Sequence, residues 1–162
     1  MIDLKPFTED DFEVFKSWIH SSDELFQFAG PIFTYPVTDE QLVNYINLTD
    51  KRPLKVVLKS TNEIIGHCEM NFADGNNRLS RILVGKKELR GQGMGEQIIR
   101  SLVALFFIDP RVNEVDLNVF DWNTAAIKCY EKVGFRINFK NTEVMNVNGN
   151  VWTKLNMVLK RD

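Results

Sequence analysis

The sequence predicts an α/β (α+β layered) domain built on a mixed sheet, and three observations carry that reading. Short stretches rich in Val, Ile and Leu, several alternating with polar residues, recur between turn signals and read as strands. In the second half, two helical patterns are interleaved with strands, giving a strand–helix–strand–helix centre with antiparallel flanks. The chain has 162 residues, 44% hydrophobic and 26% charged, with no repeat, low-complexity tract or linker-like stretch. One core and one domain over 1–162 are expected from that.

Taken in order, Ile2 and Leu4 alternate with polar residues and open a strand that stops near Pro6. Thr8 can cap a helix to about His20, burying Phe12, Phe15 and Ile19. Residues 21–37 are aromatic-rich and broken by Gly30, Pro31 and Pro36. Thr38 with Gln41 forms a capping box for a helix through about Leu48. Leu54–Leu58 and Ile64–Phe72 are strands joined at Ser60-Thr61-Asn62, and a turn at Asp74–Asn77 leads into a strand at Leu79–Val84. A helix from about Gly93 to Ile108 places Met94, Ile98, Leu102 and Phe106 on one face, and Asp109-Pro110 ends it. Val115, Leu117 and Val119 alternate as a strand. Asn123 caps a last helix that Gly134 closes, and 135–145 with 151–159 form a hairpin around Asn148-Gly149-Asn150.

The net charge of −2 conceals an asymmetry: −8 over residues 1–50, +5 over 51–100 and +1 over 101–162. A basic middle suits an anionic ligand; the acidic first third suits a cation, or in part decorates helix N-termini at Glu9, Asp10 and Asp11. A pI of about 5.8 argues against a nucleic-acid binder. The longest apolar run, Leu102–Ile108, is far too short for a membrane span. Met1–Pro6 lacks the apolar stretch of a signal peptide, so a cytoplasmic protein is expected, with Cys68 and Cys129 reduced and half-buried. His20, His67 and the two cysteines share no ligand spacing, so no metal is expected.

The most informative segment runs from Val84 to Gly95, between a strand and the long helix. Gly91, Gly93 and Gly95 crowd one helix start, although glycine costs a helix about 1 kcal/mol relative to alanine. Free N–H groups there, with the helix dipole and Arg90, favour an approaching phosphate. A P-loop would need Gly-Lys-Ser/Thr, but Glu96 follows Gly95. A Rossmann fingerprint would need a third glycine at Glu96. Arg90-x-x-Gly93-x-Gly95 remains, and a flexible turn is its bland alternative.

A second segment decides between them. Asn123, Ala126, Tyr130, Gly134 and Phe135 stand at the spacing Asn-x-x-Ala-x-x-x-Tyr-x-x-x-Gly-Phe. Together the two segments resemble the signature of the GNAT superfamily of N-acetyltransferases, strongly over about 78–135 and more weakly elsewhere. The run Val84–Gly91 is most similar to the branch holding RimJ/RimL enzymes and spermidine acetyltransferases. The resemblance implies a mostly antiparallel sheet with one splayed parallel strand pair and helices on both faces. It also implies an acetyl-CoA-dependent N-acetyltransferase acting by direct attack of a primary amine.

In that family the pyrophosphate of CoA meets the glycine turn, here Arg90, Gly91, Gln92, Gly93, Met94 and Gly95. Pantetheine pairs with the strand Ile82–Val84, and N–H groups near Leu83 hold the acetyl carbonyl. Asn123 contacts pantetheine, caps its helix, or does both; Lys128 meets CoA phosphates or is solvated. Tyr130 is the implied general acid for the CoA thiolate. The base is less defined: Asn118 stands where relatives often have Glu, leaving Glu69, or His67 on the same strand face, as candidates. The acceptor, a small-molecule or peptide amine, would meet Trp18, Phe26, Phe28, Pro31, Phe33 and Tyr35, with Asp23 and Glu24. Homodimerisation is common in the family. The alternative to an enzyme is a non-catalytic acyl-CoA-binding sensor or partner module of the same fold.

Overall fold

The computed structural model describes residues 1–162. Seven strands form one sheet: β1 (Ile2–Pro6), β2 (Lys51–Leu58), β3 (Ile64–Asn71), β4 (Arg78–Val84), β5 (Glu114–Phe120), β6 (Arg136–Val147) and β7 (Asn150–Lys160). Their order is β1-β2-β3-β4-β5-β7-β6. Every neighbouring pair is antiparallel except β4 and β5. Five helices cover the faces: α1 (Phe12–Ser17), α2 (Ser22–Ala29), α3 (Asp39–Ile46), α4 (Met94–Phe106) and α5 (Thr124–Val133). This is the mixed α/β layering the sequence predicts. No helix is long and apolar enough to cross a membrane.

Strand alternation assigns the two faces. Leu54, Val56, Cys68, Leu79, Val115 and Leu117 pack into one core with Ile98, Ile99, Leu102 and Phe106 of α4. Cys68 is therefore wholly buried rather than half-buried, whereas Cys129 is half-buried. On the opposite face α1–α3 build a second core around Phe15, Leu42 and Tyr45, and the ring of His67 lies edge-on to Phe7 and Phe15. The two layers meet at Asp11, which is 1% exposed. Its carboxylate accepts the Thr8 N–H at 2.8 Å and the ammonium of Lys55 from β2 at 3.0 Å.

β4 and β5 pair only at Arg78–Asp116 and Leu79–Leu117 before they part. A fork from Arg78 to Asp116 pins the closed end, with Nε–Oδ1 at 3.0 Å and Nη2–Oδ2 at 2.8 Å. Just beyond, the β3–β4 register slips between His67 and Glu69, so Ser80–Leu83 lie opposite His67–Glu69. Arg81 absorbs the extra residue at φ 48°, in the left-handed region. A bulge of this kind bends and twists its strand, which accompanies the departure of β4 from β5.

The N-terminal half departs from expectation in three places. The helix expected over 8–20 is a 3₁₀ turn at Glu9–Asp11 followed by the six-residue α1, although Phe12, Phe15 and Ile19 are buried as anticipated. Residues 21–37, read as broken, contain α2; Ser21 caps it by accepting the Glu24 N–H, and Glu24 Oε2 accepts the His20 N–H at 2.8 Å. Ser21-x-x-Glu24 was the available signal, obscured by the aromatic density that follows. The Thr38 cap accepts the Gln41 N–H, but the Gln41 side chain turns instead to the Thr34 backbone. That reciprocal arm of the capping box is absent because residues 34–36 offer competing backbone groups.

Candidate active site

The splay between β4 and β5 opens a cleft of about 840 Å³, floored by the two strands and walled by α2, α4 and α5. One rim is the start of α4. Gly91 and Gly93 hold φ 76° and 82°, values that side-chain-bearing residues adopt at a cost of about 1–2 kcal/mol. This curl aims successive N–H groups outward. Gly91 through Glu96 have no hydrogen-bond acceptor within the protein; the helical ladder begins with Gln97 donating to the Gly93 carbonyl at 3.2 Å. Six free donors at the positive end of a 13-residue helix make an anion cradle. A Cβ at Gly93 would meet nothing within 4 Å, and one at Gly95 would lie 3.7 Å from Cys129 Sγ. The cradle is open to an incoming anion.

Ile82, Leu83, Val84, Arg90, Gly91, Gly93 and Gly95 all line this cleft, as do Asn123, Lys128 and Tyr130. Gln92 and Met94 do not. Gln92 donates back to the Glu88 carbonyl at 2.6 Å, and Met94 packs against the α4 core. Arg90 is partly committed, because its Nε donates to the Val84 carbonyl at 2.9 Å and ties the glycine turn to β4. Lys128 is exposed and makes no ion pair, whereas Lys132 is held by Glu96 at 2.8 Å. Asn123 caps α5 through Oδ1, which accepts the Ala126 N–H at 3.3 Å, while its amide N–H groups stay unpaired in the cleft.

Tyr130 owes its place to the way α5 ends. Gly134 adopts φ 121°, the Phe135 N–H donates to the Tyr130 carbonyl and the Gly134 N–H to the Glu131 carbonyl, each at 3.0 Å. This Schellman closure fixes Tyr130 four residues before Gly134, with its ring edge-on to Phe135 at 6.3 Å. The phenol oxygen has no protein partner, and burial raises its pKa above the usual tyrosine value. The hydroxyl therefore stays protonated at neutral pH, with its O–H uncommitted within the protein.

Glu69 lies elsewhere. It is 0% exposed and lines no part of the cleft. Its Oε1 accepts the Tyr45 hydroxyl and its Oε2 accepts Arg81 Nη1, both at 2.5 Å. Burial raises its pKa, opposed mainly by the Arg81 charge. His67 is also sealed; burial lowers its pKa to about 4, and Nδ1 donates to the Arg81 carbonyl at 2.8 Å. Neither expected base therefore reaches the cleft. Strand parity did put both on one face, as anticipated, but α1–α3 cover that face.

Only part of the expected aromatic wall faces the cleft. Trp18, Phe26, Phe28 and Pro31 do; Phe33 is core, and Tyr35 donates to the His20 carbonyl at 3.1 Å. Trp18 lies so close to Gly85 that a Cβ there would sit 2.1 Å from its ring. Asp23 and Ser22 bind the amide of Asn148, which ties α2 to the β6–β7 turn, so Asp23 is already engaged. Glu24 and the ion-paired Glu96 are the carboxylates that line the cleft. Sequence reading missed Phe120 and Lys154 in the cleft lining; Trp152, outside that lining, meets Phe26 at 6.0 Å, as does Phe120. Their alternation on β5 and β7 was the signal, but which strand face borders a cleft depends on the splay.

The sequence profile of the acetyltransferase (GNAT) domain matches residues 2–136. An aminoglycoside N(6′)-acetyltransferase type 1 of Klebsiella pneumoniae is 26% identical over 151 residues, covering 83% of this chain and 73% of its own length. A kanamycin resistance protein of Rhizobium radiobacter is 44% identical over 45 residues, 28% of this chain and 42% of its own. In fold, the chain is similar to an aminoglycoside acetyltransferase solved with coenzyme A and kanamycin (TM-score 0.76, 24% identity, 99% and 95% of the two chains). It is also similar to a Vibrio cholerae spermidine N-acetyltransferase solved with CoA and spermine (TM-score 0.79, 17% identity, 98% and 95%).

Proposed function

This chain belongs to the GNAT acetyltransferase family, and on that premise we propose that it transfers the acetyl group of acetyl-CoA to a small, cationic, amine-bearing molecule. One observation carries the reading: Gly91, Gly93, Gly95 and Glu96, whose N–H groups are unpaired, and Tyr130, whose hydroxyl is unpaired, line the same cleft. Gly91 through Glu96 would hold the pyrophosphate of CoA, supported by Arg90 and Lys128. Ile82–Val84 would pair with pantetheine and direct the thioester toward the splay.

The amine nitrogen attacks the thioester carbonyl carbon; a C–N bond forms, the C–S bond breaks, and the amine gives up a proton to water in the open cleft. The CoA thiolate takes a proton from Tyr130, which solvent then restores. Glu69, sealed from the cleft, is not the group that accepts the amine proton. The acceptor-side carboxylate that can meet an incoming ammonium is Glu24 on α2, facing a wall of Trp18, Phe26 and Phe28. An acid beside aromatic faces suits the polyamine-like or amino-sugar acceptors named for the relatives better than the peptide acceptors of a RimJ/RimL-type enzyme. A homodimer, common in the family, stays part of this reading.

The test is a Tyr130→Phe variant assayed with acetyl-CoA and with kanamycin and spermidine as probe acceptors. Since the hydroxyl has no protein partner, the variant should fold normally and bind acetyl-CoA within about twofold of wild type. Its kcat should fall at least ~10²-fold, the contribution of a positioned acid. Unchanged turnover would remove Tyr130 from the chemistry. Failure of folded wild type to bind acetyl-CoA in calorimetry would overturn the function itself.

A further inference from the structure

From the cleft floor, where Arg81 is a lining residue, a polar cluster runs inward that the reaction just described does not use. Glu69 of β3, Arg81 of β4 and Tyr45 of α3 join in one chain of hydrogen bonds, the two links being 2.5 Å each. Glu69 is wholly buried and the Arg81 side chain only 13% exposed. His67, next but one to Glu69, holds the Arg81 carbonyl at 2.8 Å. Arg81 is therefore gripped at both its guanidinium and its backbone. It is also the residue that takes φ 48° to create the β4 bulge, and it stands immediately before Ile82 and Leu83 on the cleft floor.

We propose that Glu69, Arg81 and Tyr45 are positioning residues that lock the β4 bulge in the shape that aims the following strand N–H groups at the acetyl carbonyl. The inference rests on acetyl-CoA occupying this cleft. Its physical basis is a comparison of costs. A buried ion pair contributes little net stability, because desolvating both charges offsets their attraction, and an uncharged pair of similar volume stabilises a core as well or better. A left-handed arginine adds backbone strain, which persists only where the surroundings over-determine it. The cluster thus supplies geometry more than stability. The Arg81 Nε, buried and without an acceptor, shows that the guanidinium is placed for Glu69 at the expense of another of its own hydrogen bonds. Tyr45 extends the lock to α3, so a shift in the acceptor-side helices reaches the bulge through one hydroxyl.

The experiment compares wild type with Glu69→Gln/Arg81→Met, which removes both charges together, and with Tyr45→Phe, which removes one hydroxyl. Acetyl-CoA affinity is measured by calorimetry, and the carbonyl stretch of bound ¹³C-acetyl-CoA by isotope-edited infrared spectroscopy. No acceptor is needed for either. Wild type should lower the carbonyl frequency relative to free acetyl-CoA. The double variant should bind within about threefold and melt no earlier than wild type, with its carbonyl band returned to the free position. Tyr45→Phe should move the band part of the way. Where kanamycin or spermidine is turned over, kcat should fall at least tenfold at unchanged KM for acetyl-CoA. A band that keeps its wild-type position in both variants, or is unshifted in wild type that binds acetyl-CoA, overturns the proposal. Absence of acetyl-CoA binding by wild type overturns the function reading on which it rests. Should the double variant not fold, Tyr45→Phe decides by the same band.

Discussion

Gly93 and Gly95, two residues apart at the start of α4, should respond to alanine in opposite directions. Gly93 caps the helix at φ 82°, and although a Cβ there has open space, the backbone conformation alone penalises it by about 1–2 kcal/mol. Gly95 lies inside α4, and its added Cβ would sit 3.7 Å from Cys129 Sγ, an ordinary contact. There alanine gains helix propensity of up to about 1 kcal/mol. Unfolding entropy near 2.1 cal/mol/K per residue makes 1 kcal/mol worth roughly 3 °C in a chain of this length. Calorimetric melts should therefore show Gly93→Ala about 3–6 °C below wild type and Gly95→Ala up to about 3 °C above it. Titration with acetyl-CoA should separate them again. Gly93→Ala redirects the N–H fan and should weaken binding at least tenfold, equivalent to about 1.4 kcal/mol. Gly95→Ala should stay within about threefold. Melting shifts of the same sign, or equal affinity in both variants, would refute the reasoning that the left-handed turn, and not glycine content alone, makes the cradle.

Asp11→Ala removes the carboxylate that caps the Thr8 turn and leaves Lys55 unpaired at a largely buried site; it should cost about 3–5 kcal/mol, read as a lowered urea midpoint. His67, whose folded pKa falls from 6.5 to about 4 on burial, stays neutral in the fold while the unfolded chain protonates. The unfolded state thus binds more protons between pH 4 and 6.5, so stability rises with pH across that window, by about 3 kcal/mol, and falls on acidification. Glu69, raised by burial, acts in the opposite sense above pH 4.5. A His67→Gln variant should flatten the rise in chemical-denaturation midpoints over that window; an unaltered slope would exclude His67 as its source. Gly85→Ala should displace the Trp18 ring, cost about 1–3 kcal/mol by overpacking and shift tryptophan fluorescence, and normal fluorescence and stability would contradict the close approach.

The second half of the chain was legible because its signals are local. α4 and α5 carry their caps, glycines and apolar faces within one segment, and β5 alternates Val115, Leu117 and Val119 inward. The Asn148-Gly149 turn, with φ 50° and 85°, is equally self-contained. The N-terminal half was less legible, because Ser21 and Glu24 lie beside aromatic residues whose packing no short window reveals. The acidic excess of the first third also divides in space. Asp11 goes to Lys55, Asp39 to Lys16 and Asp23 to the hairpin, and Glu24 lines the cleft.

The sequence by itself determined the layered mixed sheet, the glycine cradle at the head of α4 and the placement of Tyr130 by the end of α5. The last two follow from backbone chemistry within a dozen residues, a left-handed glycine, a cap and a Schellman turn, and the sheet from the strand and helix patterns repeated along the chain. Tertiary structure alone decided which groups reach the reacting space. Strand parity put His67 and Glu69 on one face, but α1–α3 bury that face, and the side chain of Arg81, twelve residues further on, returns to occupy Glu69. The splay of β4 from β5 selects Glu24, Phe120 and Lys154 as neighbours from three separate elements, α2, β5 and β7. Burial and ion pairing depend on what lies across the chain, and no local pattern encodes them.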